Sequence, residues 1–528
     1  MDSSRTKLFP FPPHQGDALN CRLPIHADKV RSSMKTGAEY IESLRRIKLE
    51  VYAFGERIDN IPDHPLTRPH VNAAAATYEL AHDPEYEDLL TAMSHLTGEK
   101  INRFTHIHHS SDDLVKKVKM LRLLAHKTGT CFQRCVGLDA LNALYTVTFE
   151  LDQKMGTDYH EKFRRHLVRV QREDLMSDGA MTDPKGNRSL SPREQKDPDL
   201  YLRIVEEKKD GIVVRGAKAH QTGAVNSHEI IVMPTRALDR DSKEYAVAFS
   251  VPSDSKGLTY VFGRQANDTR RTEPNPADMG NVHYGSVGGE ALVVFDDVFV
   301  PNDRVFLHGE TEYAGLLVER FASYHRQNYG GCKAGLCDVM IGAVTLAAEH
   351  NGVSGASHIR DKIAEMIHLT ETLYGCAIAC SAEGKPTPSG AYLVDPLLAN
   401  TVKLNVTRNI YEVSRLSHDI AGGIIATLPS QKDFEDPRIG RYLEKYFKGE
   451  ASVATQERVR ILRLLENMTG GTTLVESMHG AGSPQAQKVM ILRQGNLDYK
   501  KTLAKILSGV QEDKLISNIR KEKQAAKQ

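Results

Sequence analysis

The chain has 528 residues, enough for two or three domains and a large core. Its 69 basic and 68 acidic residues nearly balance, which excludes a strong overall attraction to nucleic acid or to an anionic membrane. Seven cysteines in a chain of this length do not resemble a secreted disulfide framework, and charges or glycines interrupt each apolar stretch before the roughly 20 residues that a bilayer requires. We therefore expect a cytoplasmic protein, with an organellar address as the weaker alternative.

The N-terminal part of the chain predicts a helical domain behind an irregular extension. Residues 1–33 carry four prolines and no apolar periodicity, so we interpret them as an N-terminal extension. Residues 34–165 have mostly helical spacing and form the predicted N-terminal helical domain. Thr36 and Glu39 have the spacing of a capping box, and a helical pattern runs from Cys131 to Leu151.

Residues 166–310 predict a β domain. Short runs rich in β-branched residues alternate there with Gly, Pro, Asn and Asp, which is typical of a sheet or a β-barrel. The runs are Ile212–Arg215, Glu229–Met233, Tyr245–Val251 and Ala291–Phe295.

Residues 311–510 predict a C-terminal helical bundle, followed by a polar tail at 511–528. Two apolar stripes at helical spacing support this prediction. They consist of Ile359, Ile363, Met366, Ile367 and Leu373 in one segment, and of Val459, Leu462, Leu465 and Met468 in another. The predicted fold class is therefore α+β, in the order helical domain, sheet domain and helical bundle.

Four soft metal ligands stand out in two distant segments. Cys131 and Cys135 are four residues apart, and His325 and Cys332 are seven apart, so each pair is predicted to share one face of a helix. Two such helices side by side would surround one metal centre, and three thiolates with one imidazole suit zinc or an iron–sulfur cluster.

A second pair with the same spacing has a simpler interpretation. Cys376 and Cys380 lie in an apolar helical run, where cysteine acts as a small hydrophobic residue. We predict that both fill the core.

Several sequence blocks carry a resemblance to a known family. The order of the domains, with Val293–Pro301 closing the sheet domain, resembles the acyl-CoA dehydrogenase-like flavoproteins, and Thr36–Leu44 resembles the 4-hydroxyphenylacetate 3-hydroxylase superfamily. Further blocks are similar to those of the 4-hydroxybutyryl-CoA dehydratases. These blocks are His106–His109, Cys131–Cys135, Met181–Arg188, Gly216–Gly223, His325–Lys333 and Glu476–Pro484.

The resemblance implies two cofactors, FAD and a [4Fe–4S] cluster. It implies cluster ligation by Cys131, Cys135, His325 and Cys332. It also implies an acyl-CoA substrate, no nucleic-acid or membrane partner, and a homotetramer with FAD near a subunit interface. The implied FAD contacts are Met181, Thr182, Asp183, Pro184, Lys185, Gly186, Asn187, Arg188, His220, Gln221 and Thr222, with Ala421, Gly422 and Gly423 reaching FAD from a neighbouring subunit.

The implied reaction is a radical dehydration of 4-hydroxybutyryl-CoA to crotonyl-CoA, with vinylacetyl-CoA Δ-isomerase as a second activity. In this scheme His325 is both ligand and general base, and Tyr329 and Lys333 follow it on the same helix face. Glu290 and Glu476 would relay a proton or position the substrate. The simpler interpretations are exposed helix groups for Tyr329 and Lys333, a turn carboxylate for Glu290 and a capping acid for Glu476.

Three further positions have two interpretations each. His106, His108 and His109 resemble a second metal site, but their polar neighbours favour a loop that enters a helix. His479 orders a tight turn or contacts flavin. Lys185 and Arg188 belong to a solvated turn or meet flavin phosphates.

Two other functions stay open at this point. An FAD-dependent aromatic monooxygenase of the 4-hydroxyphenylacetate 3-hydroxylase type would need neither thiolates nor iron. A protein without catalytic activity could use zinc at the four ligands as a structural link between its helical domains.

Overall fold

The computed structural model describes residues 34–265, 268–272, 275–285, 287–514 and 517–518. The predicted N-terminal extension, with Cys21, and most of the predicted polar tail lie outside these residues. The helices are α1 (Gly37–Arg45), α2 (Arg68–Glu79), α3 (Glu87–Leu90), α4 (Ser111–Thr128), α5 (Cys135–Met155), α6 (Tyr159–Arg172), α7 (Asp268–Arg271), α8 (Pro276–Met279), α9 (Thr311–His350), α10 (Ser357–Ala382), α11 (Pro396–Ala421), α12 (Gln431–Glu435), α13 (Gly440–Tyr446), α14 (Thr455–Met468), α15 (Gly471–His479), α16 (Pro484–Gln494) and α17 (Leu497–Leu507).

The strands lie mainly between α6 and α9. They are β1 (Val51–Ala53), β2 (Glu56–Ile58), β3 (Thr91–Met93), β4 (Lys100–Asn102), β5 (Ser177–Ala180), β6 (Arg203–Lys208), β7 (Gly211–Thr222), β8 (Glu229–Val232), β9 (Val247–Pro252), β10 (Leu258–Phe262), β11 (Glu290–Pro301), β12 (Val305–His308), β13 (Lys385–Pro386) and β14 (Tyr392–Leu393). The runs predicted from β-branched residues correspond to β7, β8, β9 and β11, which confirms the predicted sheet domain.

The central strands form two open sheets rather than a barrel. The larger sheet has the order β2-β1-β10-β11-β7-β6, so β2 and β6 lie at opposite edges, and the smaller has the order β12-β9-β8-β5. Strand β8 is covered on both faces: Ile230 and Val232 belong to one core cluster, and Ile231 belongs to another. Strand residues alternate between the two faces of a sheet, so one short β-branched run contributes to both cores.

The predicted N-terminal helical domain also contributes strands. Strand β1 pairs in parallel with β10, and β2 pairs with β1. From Met34 onward the chain forms one compact unit, so the predicted boundaries between domains stay predictions.

The helix that organises the bundle is α9. It packs against α4, α5, α10, α11 and α14. By length and composition α9 could cross a membrane, but 61% of its most apolar window is buried, as expected for the core helix of a globular protein. This length of apolar helix was not anticipated from the sequence, because polar and glycine residues are scattered along it.

Glycines on α9 allow its neighbours to approach closely. A Cβ at Gly331 would lie 2.5 Å from the Val118 carbonyl oxygen of α4, and one at Gly335 would lie 2.6 Å from the Arg122 carbonyl oxygen. Such distances leave no room for a side chain, so the two backbones meet directly.

The predicted apolar stripes are confirmed with one exception. Val459, Leu462, Leu465 and Met468 of α14 are all buried. On α10, Ile359, Met366 and Leu373 are buried, but Ile367 is 46% exposed, because it follows Met366 directly and faces about 100° away around the helix.

Candidate active site

The four predicted soft ligands come from two regions of the fold. Cys131 lies in the loop between α4 and α5, Cys135 is the first residue of α5, and His325 and Cys332 lie on α9. Helix α9 packs against both α4 and α5. The thiols lie close enough that negative charge on Cys332 raises the pKa of both Cys131 and Cys135.

The prediction that Cys131 and Cys135 share a helix face is wrong. Helix α5 begins only at Cys135, and Gln133 has a φ of 66°, which interrupts helical backbone. Burial raises the pKa of the Cys131 thiol to about 12 and that of Cys332 to about 11. Both thiols therefore favour the protonated form, and metal binding is the ordinary way to deprotonate such thiols.

His325 has one ring nitrogen held in place. Its Nδ1 lies 2.8 Å from Oδ2 of Asp139, a fully buried carboxylate of α5. Asp139 also accepts a hydrogen bond from Asn328 and one of 3.2 Å from the Lys117 ammonium. This arrangement leaves Nε2 for a metal or a proton. Histidines that bind metals usually donate their other N–H to a carboxylate in this way.

Tyr329, Lys333 and Glu476 form one buried group. The Tyr329 hydroxyl donates to Glu476 Oε1 at 2.9 Å, and the Lys333 ammonium is paired with Glu476 Oε2. Tyr329 is 3% exposed and Lys333 is 2% exposed, so the interpretation as exposed helix groups is wrong. Both follow His325 on its face of α9.

The charges in this group decide the ionisation of its members. Burial alone would raise the pKa of Glu476, but the charge and hydrogen bonds of Lys333, with Lys403 and Tyr329, hold it below its usual value. Burial would lower the pKa of Lys333, but Glu476 outweighs burial and raises it. The pair is therefore ionised at neutral pH.

Glu290 lies at the edge of the same group, as the first residue of β11. Burial and the negative charge of Glu476 raise its pKa, so this carboxyl is the one that most readily keeps a proton. The Thr222 hydroxyl lies 3.5 Å from Glu290 Oε1, which connects Glu290 to the predicted flavin segment of β7. The simpler interpretation, a carboxylate that only positions a turn, explains neither contact.

Asp139 and Gln133 are site residues that the sequence analysis missed. Asp139 has a recognisable signal, a carboxylate within an apolar run of α5, and it lies one turn after Cys135. Gln133 is buried, and its Nε2 donates to the Gly288 carbonyl at 3.3 Å. A Cβ at Gly289 would lie 2.7 Å from the same Nε2, so Gln133 fills the space beside Glu290.

The donor set fits an iron–sulfur cluster by its chemistry. Thiolates are the usual ligands of such clusters, and one of them can be replaced by an imidazole. Three thiols with one carboxylate-supported imidazole are donors of the kind that such clusters bind.

The predicted flavin segments lie beside each other. The Ala219 N–H donates to the Thr182 carbonyl at 2.8 Å, and Lys218 donates to the Met181 carbonyl at 3.0 Å and pairs with Asp183 at 2.9 Å. The structure thus joins residues 181–188, after β5, to the end of β7.

Four basic side chains mark the outer edge of this region. Burial lowers the pKa of His220, and the charges of Lys185, His479 and Arg188 lower it further, so these residues are neighbours. Arg188, His220 and His479 are exposed. A cluster of basic groups around a turn suits anionic phosphates.

The segment 421–423 ends α11 and lies apart from this region. No hydrogen bond or ion pair among the described residues joins it to residues 181–188 or 220–222. Added Cβ atoms at Gly422 and Gly423 would meet nothing within 4 Å. Contact of Ala421, Gly422 and Gly423 with the flavin of a neighbouring subunit stays a prediction.

The remaining candidates have structural roles here. His106, His108 and His109 lie in the loop before α4, where Asp113 lies 3.1 Å from His106 Nε2, as the helix-entry interpretation predicts. Cys380 is fully buried and Cys376 is partly buried, each packed in an apolar cluster, which confirms that both fill the core.

Family models match most of the chain. The model described as 4-hydroxyphenylacetate 3-hydroxylase N terminal matches residues 36–307, and the C-terminal model of the same family matches residues 314–509.

Individual relatives divide into two groups. The 4-hydroxybutyryl-CoA dehydratase/vinylacetyl-CoA-Δ-isomerase of Clostridium aminobutyricum is 56% identical over 490 residues, covering 90% of this chain and 100% of the relative. The oxygenase component of 4-hydroxyphenylacetate 3-monooxygenase from Thermus thermophilus is 29% identical over 445 residues, covering 82% of this chain and 88% of the relative.

Solved structures divide in the same way. An oxygen-tolerant archaeal 4-hydroxybutyryl-CoA dehydratase from N. maritimus superimposes with a TM-score of 0.89 at 53% identity, covering 91% of this chain and 96% of the other. The oxygenase component of 4-hydroxyphenylacetate 3-monooxygenase in complex with FAD has a TM-score of 0.78 at 25% identity, covering 90% and 99%.

Proposed function

The chain belongs to the 4-hydroxyphenylacetate 3-hydroxylase family, and on that premise we propose that it is a 4-hydroxybutyryl-CoA dehydratase with vinylacetyl-CoA Δ-isomerase activity. The observation that carries the proposal is the identity of 56% to a dehydratase of this name over that relative's whole length. The aromatic monooxygenases of the family are less similar, at 29% identity or below among those compared.

The arrangement of polar residues supports the same choice. A monooxygenase has no use for three neighbouring thiols, one of them buried and two partly buried, near a carboxylate-held histidine. In this chain Cys131, Cys135, Cys332 and His325 would hold a [4Fe–4S] cluster, and residues 181–188 and 220–222 would hold FAD. When bound, the two cofactors would supply one-electron chemistry and a Lewis acid for the substrate hydroxyl.

The reaction removes water from 4-hydroxybutyryl-CoA without net oxidation. The C2 and C3 carbons each lose one hydrogen, and C4 loses its hydroxyl and gains one hydrogen, which gives crotonyl-CoA and water. The C3 hydrogen is not adjacent to the thioester carbonyl, so a side-chain base alone cannot remove it as a proton. This is the chemical reason for a one-electron cofactor.

His325 is the base proposed for the C2 proton. Asp139 holds Nδ1, so the lone pair that accepts a proton is on Nε2. The isomerase activity needs the same step, since vinylacetyl-CoA also loses a C2 proton and gains one at C4.

We propose that the hydroxyl leaving from C4 is bound by the group of Tyr329, Lys333 and Glu476. Tyr329 is a neutral donor, Lys333 is a cation, and both are already bonded to one carboxylate. A substrate hydroxyl placed there can accept from a further N–H of Lys333, whereas the single O–H of Tyr329 must turn away from Glu476 to donate to it. Glu290, with its raised pKa, is proposed to store or return the proton that C4 receives.

A homotetramer is proposed for the assembly. Large apolar side chains are exposed in the C-terminal part of the described chain, including Leu507 at 87%, Val510 at 76%, Tyr446 at 68% and Leu492 at 66% exposure. A contact with another subunit that covers such side chains would account for their exposure. Sedimentation of the native protein would test the assembly, and we expect the enzyme in the cytoplasm.

One preparation tests the proposal. The chain is purified anaerobically, and iron, sulfide and flavin are quantified. We expect about four iron and four sulfide per chain with one FAD, and conversion of 4-hydroxybutyryl-CoA to crotonyl-CoA without added reductant. Flavin without iron, together with hydroxylation of a phenol, would support the monooxygenase instead. If the protein contained zinc but neither iron nor flavin, the four ligands would form only a structural link between the helical domains.

A further inference from the structure

Lys403 of α11 is a buried cation beside the candidate active site. It is fully buried, and its Nζ lies 3.9 Å from the centre of the Tyr329 ring. The same ammonium donates to the carbonyl of Ser477 and, at 3.4 Å, to that of Met478. Burial of an amine is costly unless its N–H groups have partners. Here the partners are two backbone carbonyls, which accept hydrogen bonds, and the face of one aromatic ring.

We infer that Lys403 is a positioning residue for the dehydration: its amine joins the Tyr329 ring to the carboxyl end of α15 and thereby fixes the Tyr329–Glu476 pair that receives the substrate hydroxyl. This inference rests on the proposed function. It concerns a residue of α11, a helix whose Val402 and Val406 also pack in one cluster with Tyr329.

The end of α15 has little freedom around Tyr329. A Cβ at Gly480 would collide with the Tyr329 hydroxyl, so the backbone that follows Glu476 lies directly against it. Arg326 Nε donates to the Ala481 carbonyl at 3.0 Å, which holds the next turn. Lys403 adds a contact just before these two points, at the carbonyls of Ser477 and Met478.

The charge of Lys403 also acts on the phenol. A cation over an aromatic ring is attracted to its face, and the attraction is stronger when both groups are desolvated. It draws electron density from the ring, so the Tyr329 hydroxyl becomes a stronger donor to Glu476. A neutral side chain at position 403 could keep the carbonyl contacts but would lose this effect.

The protonation of Lys403 gives the inference a pH signature. Burial lowers the pKa of Lys403 to about 7, against the attraction of Glu476. The other charged or titratable groups that face Lys403 belong to α9: Lys333 and Arg326, which oppose its charge, Cys332, which favours it, and Tyr329, on whose ring it lies. As the pH rises through the pKa of Lys403 the cation is lost, so turnover should fall on the alkaline side.

Two substitutions separate the contacts from the charge. Lys403→Gln can still donate to the two carbonyls but carries no charge, whereas Lys403→Met does neither. Ser417→Ala is the matched control, since Ser417 is a fully buried residue of α11 whose hydroxyl bonds only within the helix, to the Val413 carbonyl at 2.8 Å. Each holoenzyme is assayed for iron, FAD, thermal unfolding, kcat, KM and the pH profile of kcat.

We expect Lys403→Met to lower kcat by about tenfold or more with little change in KM, because the lost contact acts on the reacting group. For Lys403→Gln we expect an intermediate kcat. Both Lys403 variants should lack the fall in kcat at alkaline pH that the wild type and Ser417→Ala show. Iron and FAD contents should not change.

If both Lys403 variants had the kcat and the pH profile of the wild type, the inference would be overturned, and the proposed function would stand. Loss of iron or FAD in both would overturn it as well, because Lys403 would then serve to build the site rather than to position Tyr329. Absence of dehydratase activity in the loaded wild type would instead overturn the proposed function.

Discussion

His325 Nδ1 and Asp139 Oδ2 lie 2.8 Å apart, so the imidazole that is proposed as ligand and base has a fixed orientation before any metal or substrate arrives. The acceptor is shared with Asn328 and Lys117, residues of two different helices. Orientation of His325 is therefore a property of the packed core rather than of α9 alone.

Asp139→Asn should weaken this support. An amide lacks the charge that holds the imidazole, and losses of about 10- to 100-fold in metal affinity or activity are typical for such partners. The measurements are iron per chain and the exchange of C2 deuterium from labelled substrate. Asp338→Asn is the control, because Asp338 makes a similar contact with His126 on the other side of α9, at 2.6 Å. If Asp139→Asn and Asp338→Asn had the same iron content and the same rate of C2 deuterium exchange, Asp139 would have no specific role.

Cys135→Ser should remove the cluster while Cys380→Ser should not. Both cysteines are buried, but only Cys135 lies among the proposed donors, and a hydroxyl is a poor replacement for a thiolate on iron. We expect the brown colour and most of the iron to be lost from the first variant and kept in the second. An unchanged iron content in Cys135→Ser would disprove the proposed ligation.

Glu476→Gln should lower both stability and turnover. Lys333 would lose its buried counter-ion, and breaking such a pair costs about 3 kcal/mol or more. Denaturant unfolding and steady-state kinetics report the two effects. Glu412→Gln, which removes an exposed pair with Arg415, should leave both near wild type. If Glu476→Gln unfolds at the wild-type denaturant concentration, the pair does not contribute as proposed.

Asp178→Asn should stabilise the protein at neutral and alkaline pH. Both Asp178 carboxyl oxygens are buried and have no side-chain partner among the described residues, and burial, opposed by the backbone N–H of Gly179, raises the pKa of this group to about 8. In the unfolded chain Asp178 ionises near pH 4, so folding at pH 7 must protonate it, at a cost on the order of a few kcal/mol.

The sign of the effect follows from this pKa. The stability of the wild type should fall as the pH rises from the unfolded pKa towards the folded one, and the variant should lack that part of the fall. Thermal unfolding across pH is the measurement, with the exposed Asp254→Asn as control. A variant that loses stability equally at every pH would contradict the prediction.

Gly331→Ala and Gly342→Ala should have opposite effects on stability. Both glycines lie on α9, but a Cβ at Gly331 meets the Val118 carbonyl at 2.5 Å, whereas one at Gly342 meets nothing within 4 Å. Overpacking costs about 1–3 kcal/mol, and Gly to Ala at an open helix position gains about 0.5–1 kcal/mol. Only the first variant should also lose iron, because α4 would be pushed away from α9. If Gly331→Ala and Gly342→Ala changed stability and iron content in the same way, close packing of α9 against α4 would not be the cause of the change.

Local patterns were sufficient to predict most of the fold. Capping at Thr36 and Glu39 is present in α1, since both partners lie within one turn. His325, Tyr329 and Lys333 share a face because α9 is uninterrupted from end to end.

What the sequence did not reveal depends on distant contacts. Asp139 is 186 residues from His325, so neither residue signals the other. The φ of Gln133 is likewise set by its surroundings, since its side chain is tied to the Gly288 carbonyl, and this turned a predicted helical pair of cysteines into a loop and a helix start.

The separation of the thiols along the chain has a consequence for biosynthesis. Cys131 and Cys135 precede Cys332 by a stretch that includes strands β5 to β12, and they approach it where α9 packs against α4 and α5. A nascent chain would therefore carry two isolated halves of the proposed metal site, and iron could be inserted only after tertiary structure has formed. Iron content in cells would then report folding quality, and a substitution that disturbs the packing of α9 on α4 without removing a ligand, such as Gly335→Ala, would show first as an apoprotein.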